Sequence, residues 1–187
     1  MVSADVFVRD DIITSPTYQQ FSVCQQHSCE QVVTLSLSTA EWHEITFPLK
    51  VPLPTAGKER DAIAATVSNM ETVVGRRTGT YLDKGGNLAG FGQPGQMDCI
   101  DESTNTMTYM SMLAENSLLQ HHSVVDRSTR FGIFAGAPHT TAVIREHSSG
   151  QHFAVDSWFF DNGYPPAIID IQTWKAGWTP DDEAANE

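Results

Sequence analysis

Apolar residues return at three- and four-residue steps along two stretches of this chain, the spacing that gathers side chains on one side of a helix. Ile63, Val67, Met70 and Val74 predict a helix over about residues 56–74, with Gly75 as its C-cap because glycine enters the left-handed conformation that ends helices. Ile100, Met107, Met110 and Leu113 predict another, from Cys99 or just before it to about Asn116. Between them "GRRTGTYLDKGGNLAGFGQPG" is dense in glycine and reads as a long irregular loop, a kind that is commonly functional. Earlier, "QVVTLSLS" (Gln31 to Ser38) is rich in β-branched and apolar residues and reads as a strand. A short helix follows it, since Ser38 and Glu41 have capping-box spacing and Trp42 and Ile45 make its buried side.

The C-terminal half is patterned as strands. "SVVDRSTRFGIFAG" reads as one strand, and "HTTAVIREHSSGQHFAVDSWFF" as a hairpin turning at "HSSG". "DNGYPP" is a turn, which covers Asp161 to Gly163, and "AIIDIQTW" is a last extended segment. The acidic "DDEAANE" ends the chain as a solvated tail, with residues 180–187 expected to be disordered.

Length and composition add limits. A chain of 187 residues with 40% hydrophobic and 18% charged residues buries an ordinary core and reads as a single domain over 1–187. The net charge of −12, with eleven scattered Lys and Arg residues, excludes nucleic acid as a partner. No apolar run is long enough for a membrane span, and "MVSADVFVRDD" lacks the basic start and apolar stretch of a signal peptide, so an exported form would have had its leader removed.

Three cysteines are present. Cys24 and Cys29, close together in "VCQQHSC", form either a short disulfide, two free thiols or, with His27, three ligands of a metal site for which no fourth ligand lies nearby. The disulfide implies a periplasmic or secreted location and free thiols a cytoplasmic one. The cysteine left over is Cys99, at the start of a helix in "GQMDCIDESTN".

A thiol is a nucleophile only as thiolate. A helix N-terminus favours the anion by about 0.3–1 kcal/mol, less than the ~1.4 kcal/mol of one pKa unit, and Asp98, Asp101 and Glu102 oppose it. A cationic partner is required, and the candidate is His139, with Asp156 as its orienter. If His147 to Gly150 form a four-residue connection, Glu146 pairs with Gln151 and Thr141 with Asp156, and His139 and Asp156 then share a sheet face as diagonal neighbours. That is the arrangement of a Cys-His-Asp triad. The Cys99 backbone amide and a side-chain amide, Gln93 or Gln96, are the candidate oxyanion donors. His121, His122, His147 and His152 lack a recognisable partner in sequence and read as solvent-facing or structural.

The blocks "GQMDCIDESTNTMTYMSML", "PHTTAVI" and "FAVDSWF" resemble those of the transglutaminase-like superfamily. Their separations, forty residues from Cys99 to His139 and seventeen on to Asp156, are similar to those of the bacterial transglutaminase-like cysteine proteinases. The resemblance covers about residues 93–160, the expected catalytic core, and not the preceding ninety. It implies an α+β, papain-like fold in which N-terminal helices, the cysteine-bearing one included, pack on an antiparallel sheet. It also implies Cys99 as nucleophile, His139 as general base and acid, and Asp156 as orienter. Several members of the bacterial group bind calcium through acidic residues flanking the cysteine; Asp98 matches and Ile100 departs, so Asp98 reads as a helix cap and no metal or cofactor is expected. The expected activity is that of a cysteine peptidase or amidase acting on a protein or peptide. The alternatives are a cross-linking transglutaminase, or an inactive module that binds peptide or carbohydrate through Trp158, Phe159 and Phe160.

Overall fold

β1 (Phe21–Gln25) and β2 (Gln31–Leu35) pair antiparallel, with Cys24 opposite Val32, and a disulfide between Cys24 and Cys29 closes the connection between them. The sulfurs are thus spent on each other, and not on a metal held with His27. This computed structural model describes residues 9–87, 90, 92–133 and 137–180. The acidic tail expected over 180–187 lies outside the described residues apart from Pro180.

The helices follow. α1 (Thr39–Ile45) starts as its capping box requires: Ser38 Oγ accepts the Glu41 amide, and the Glu41 carboxylate accepts the Ser38 amide. α2 (Ala56–Thr78) buries Ile63, Val67, Met70 and Val74 but runs past Gly75 and ends at Gly79, whose φ of 87° is the left-handed cap. Gly75 serves closeness instead. A Cβ there would come within 2.4 Å of Asn162 Oδ1 and 2.9 Å of the Tyr81 amide nitrogen. α3 (Cys99–Glu115) begins at the cysteine, with Asp98 as N-cap.

The second half is a five-stranded antiparallel sheet. "SVVDRSTRFGIFAG" is not one strand but two, β3 (His122–Val124) and β4 (Ser128–Ile133), which occupy successive parts of one edge of β5 (Ala137–Glu146). Continuing the β3 register would set Ser128 opposite Thr140, yet it lies opposite Thr141, so the pairing slips by one residue. At the break the Arg127 guanidinium turns inward to donate to Thr104 Oγ1. β6 (His152–Asp156) pairs with the other edge of β5 in the expected register: the Glu146 amide reaches Gln151, Arg145 faces His152 and Ala142 faces Val155. β7 (Ala167–Asp170) completes the sheet. "AIIDIQTW" stays extended only to Asp170, whose side chain accepts the Gln172 and Thr173 amides and so opens the short helix α4 (Ile171–Lys175).

Both faces of the sheet are covered. Ala142, Ile144, Phe153 and Val155 join the core beneath α2 and α3, while Val143 and Ala154 point the other way, onto Ile171, Trp174 and Trp178. This is why residues 139–144 of β5 are buried without interruption and their sequence lacks polar alternation. The architecture is α+β. Among the described residues no helix is long and apolar enough to cross a membrane.

Two histidines that lack an obvious partner in sequence find one in space. His122 Nδ1 lies 2.7 Å from Glu59 Oε2, both side chains fully buried, and the His121 ring lies 2.9 Å from the Leu53 carbonyl. Both hold structure.

Candidate active site

The first two turns of α3 bury a run of polar residues, Asp101 to Thr106, where an apolar stripe was expected to face the core. Two of them, Asp101 and Asn105, find their partners at the disulfide-closed connection. Gln26, His27, Ser28 and Cys29 all have positive φ, between 53° and 67°, a left-handed run unusual for residues with side chains. In that conformation successive amides converge on one side and form a concavity that suits an anion. Asp101 enters it, Oδ2 accepting from the His27 amide and Oδ1 from the Cys29 amide, each at 2.7 Å. The Ser28 amide donates to Asp98 Oδ2 at 2.9 Å, and Asn105 accepts from the Cys24 amide at 2.7 Å while donating to its carbonyl at 2.9 Å.

The acids around Cys99 therefore hold the loop against the helix. Burial and the neighbouring Asp98 push Asp101 up to about 7, against the pull of those amides. Reducing the Cys24–Cys29 bridge, whose cysteines are five apart in sequence, is expected to cost about 2 kcal/mol of folding stability, from the entropy of closing so short a loop. The urea midpoint with and without reductant measures it, and an unchanged midpoint would mean that the main-chain grip suffices alone.

Cys99 sits half-buried at the first position of α3. Its Sγ lies 4.0 Å from the Pro138 carbonyl oxygen and accepts a hydrogen bond from the Thr140 backbone amide. The thiol thus rests against β5 on both sides of His139. Burial pushes the thiol up to about 11; the Thr140 amide opposes this, and the charges of Asp98 and Asp156 add to it. That direction favours the protonated thiol at neutral pH, and no hydrogen bond joins the sulfur to the imidazole.

His139 is almost fully buried. Its Nε2 lies 2.7 Å from Asp156 Oδ2, and Trp174 Nε1 donates to the same oxygen at 2.7 Å. The ring is walled by Trp158, Phe159 and Trp174, with centroids 4.9, 5.3 and 5.6 Å away. With Nε2 committed to the carboxylate, Nδ1 remains to take or return a proton. Arg130, buried nearby, donates to the carbonyls of Trp174 and Trp178 and stands 4.3 Å over the Trp174 ring. Burial lowers its pKa, and the charge of Asp156, the residue that holds the histidine, opposes that shift only in part.

The two glutamines differ in position. Gln96 is buried and occupied: its Nε2 donates to the Leu82 carbonyl at 2.6 Å, and its Oε1 accepts from the Lys84 amide and from Asn87. It anchors the glycine-rich segment. Gln93 is exposed and lines a pocket with Gln26, Glu30, Gly92 and Pro94. The Cys99 amide, at the first turn of α3, has no partner within the helix and is free to donate beside its own sulfur.

Structure thus brings Cys99, His139 and Asp156 to one place, with Gln96 held apart in loop packing. Sequence reasoning missed Trp174 and Arg130. Neither carries a local signal, because each meets Asp156 only through the folding of α4 and β4 onto the sheet. The Asp101 and Asn105 contacts left a trace: a helix in which six successive residues, Asp101 to Thr106, are polar while its later turns carry an apolar stripe. Comparison with known proteins assigns no family, since no family model, curated protein or solved structure matches the chain.

Proposed function

We propose that this chain is a thiol-dependent acyl-transfer enzyme of papain-like build, acting as a peptidase or amidase. The observation that carries the reading is the seating of Cys99 Sγ against the backbone flanking His139, whose Nε2 is fixed to Asp156. As Sγ attacks the amide carbonyl carbon, its proton passes to His139 Nδ1 and the carbonyl oxygen takes the negative charge, facing the Cys99 amide. The carbon–nitrogen bond then breaks, the proton on Nδ1 leaves with the amine, and a thioester remains on Cys99. Water resolves it with His139 as base, giving a carboxylic acid and the free thiol. An amine resolving it instead gives a new amide, the transglutaminase outcome.

A second reading, a binding module without turnover, draws support from the protonated thiol and from the lack of a hydrogen bond between Sγ and the imidazole. A screen of the full chain against peptide and amine-donor libraries, with Cys99→Ala as blank, separates the readings. Turnover of peptides that the blank lacks supports the peptidase. Incorporation of the amine moves the assignment to cross-linking, and equal traces from both proteins leave the binding module.

A further inference from the structure

Below the cysteine, solvent is excluded from three acids. Glu71 of α2, Asp83 after the turn that follows α2, and Glu102 of α3 are each only 3% exposed. The Asp83 and Glu102 side chains lie within hydrogen-bonding reach of each other, and two buried carboxyl groups so close hold together only with a proton between them. Ser157 Oγ donates to Glu102 Oε2 at 2.8 Å, and the Met97 amide donates to Asp83 Oδ1 at 2.8 Å. Glu71 accepts the Gly163 amide on Oε2 and has the Ser157 hydroxyl near it, yet its Oε1 is buried with no hydrogen-bond partner, a setting that favours the protonated acid.

The connections are specific. Ser157 directly follows Asp156, Met97 precedes Cys99 by two residues, and Glu102 follows it by three. The acid pair thus touches both the segment that carries the thiol and the strand end that orients the imidazole. We infer that Glu102, sharing a proton with Asp83, is a positioning residue that sets the start of α3 against the end of β6. This rests on the reading in which Cys99 works with His139 and Asp156.

The titratable groups facing Glu102 are Glu71 from α2, Asp83 from the loop, and Tyr109 from α3 itself; Asp161, paired with the exposed Lys84, faces Asp83 from the turn after β6. Burial pushes Glu71 up to about 8 and Asp83 up to about 6, and burial with the charges of Glu71 and Asp83 carries Glu102 well above an ordinary carboxyl. An acid whose pKa is raised by folding stabilises the fold fully below its unfolded value and loses that contribution as pH rises through its folded value. The device therefore holds in acid and slackens with alkali.

The test compares the full chain with Glu102→Gln and Glu102→Ala. Thermal midpoints are read from pH 5 to 9, with the rate of Cys99 alkylation and the exchange rate of the Met97 amide. The wild-type midpoint should fall as pH rises from about 6 to about 8, and Glu102→Gln should fall less, because its amide donates to Asp83 without a proton to lose. Glu102→Gln should keep wild-type alkylation and Met97 exchange at pH 6; Glu102→Ala should speed the exchange and slow alkylation by up to about 10²-fold, as misplaced reacting groups do.

A wild-type midpoint flat over that range, or a Glu102→Gln protein as impaired as Glu102→Ala, would overturn the inference. Should Glu102→Ala fail to fold, the pH dependence of Glu102→Gln against wild type decides alone. If Cys99 alkylates no faster in wild type than in His139→Ala, the catalytic reading falls, while the midpoints and Met97 exchange still judge the shared proton.

Discussion

Replacing His139 by alanine is expected to slow turnover by about 10²- to 10⁴-fold, the usual worth of a positioned general base. The thiol environment argues for an effect at the upper end. With Cys99 pushed up to about 11, about one molecule in 10⁴ would carry a thiolate at pH 7 without help. Proton transfer to Nδ1 must then accompany the attack rather than precede it. The same logic sets the pH dependence of alkylation. Wild type should react with iodoacetamide faster than His139→Ala at pH 7, and the two should converge as pH approaches about 11, where the thiol ionises unaided. Equal rates at pH 7 would remove the base from the mechanism.

The largest loss of stability is expected from Asp156→Ala. One oxygen of Asp156 accepts from both His139 Nε2 and Trp174 Nε1, and all three groups are buried. Alanine leaves two donors without an acceptor, at about 1–3 kcal/mol each, and leaves Arg130 without the carboxylate it faces. A drop in the melting temperature of about 10 °C follows for a chain of this size. Asp156→Asn keeps an oxygen for the two donors but loses the charge, so it should melt closer to wild type while turnover still falls. Thermal unfolding and kinetics on the two variants separate holding the ring from stabilising its charged form. An alanine variant as stable as wild type would show that water satisfies both donors.

How much of this was legible in the sequence depends on the range of the contacts concerned. The capping boxes at Ser38 and Asp98 and the four-residue turn before Gln151 are set by residues within a few positions of each other, and each could be read locally. The turn mattered most, because its length sets which face Asp156 shares with His139. Gly75 and Gly79 show the limit. Either fits a helix end, and what Gly75 serves instead is Asn162, 87 residues on in the sequence, which needs the space a missing Cβ leaves there. The acids near Cys99 misled in a similar way. As a local pattern they oppose the thiolate; in space Asp101 spends its oxygens on the amides of residues 27 and 29. "AIIDIQTW" reads as extended through Trp174 from its β-branched and aromatic residues, whereas Asp170 caps a helix at its middle.

The grip of α3 on the loop from Gln26 to Cys29 is made almost wholly to main-chain amides. Such a latch reads little of the side chains it holds beyond the Ser28 hydroxyl, which donates to Asp98 Oδ2 at 3.2 Å. Substitutions at the exposed positions 26 and 28 should be tolerated among residues that accept the backbone twist, glycine and asparagine foremost, whereas the buried His27 and the acids on the helix should not. The tolerant side of the latch and the exacting one thus face each other across a few ångströms, and Cys99 stands beside the exacting one.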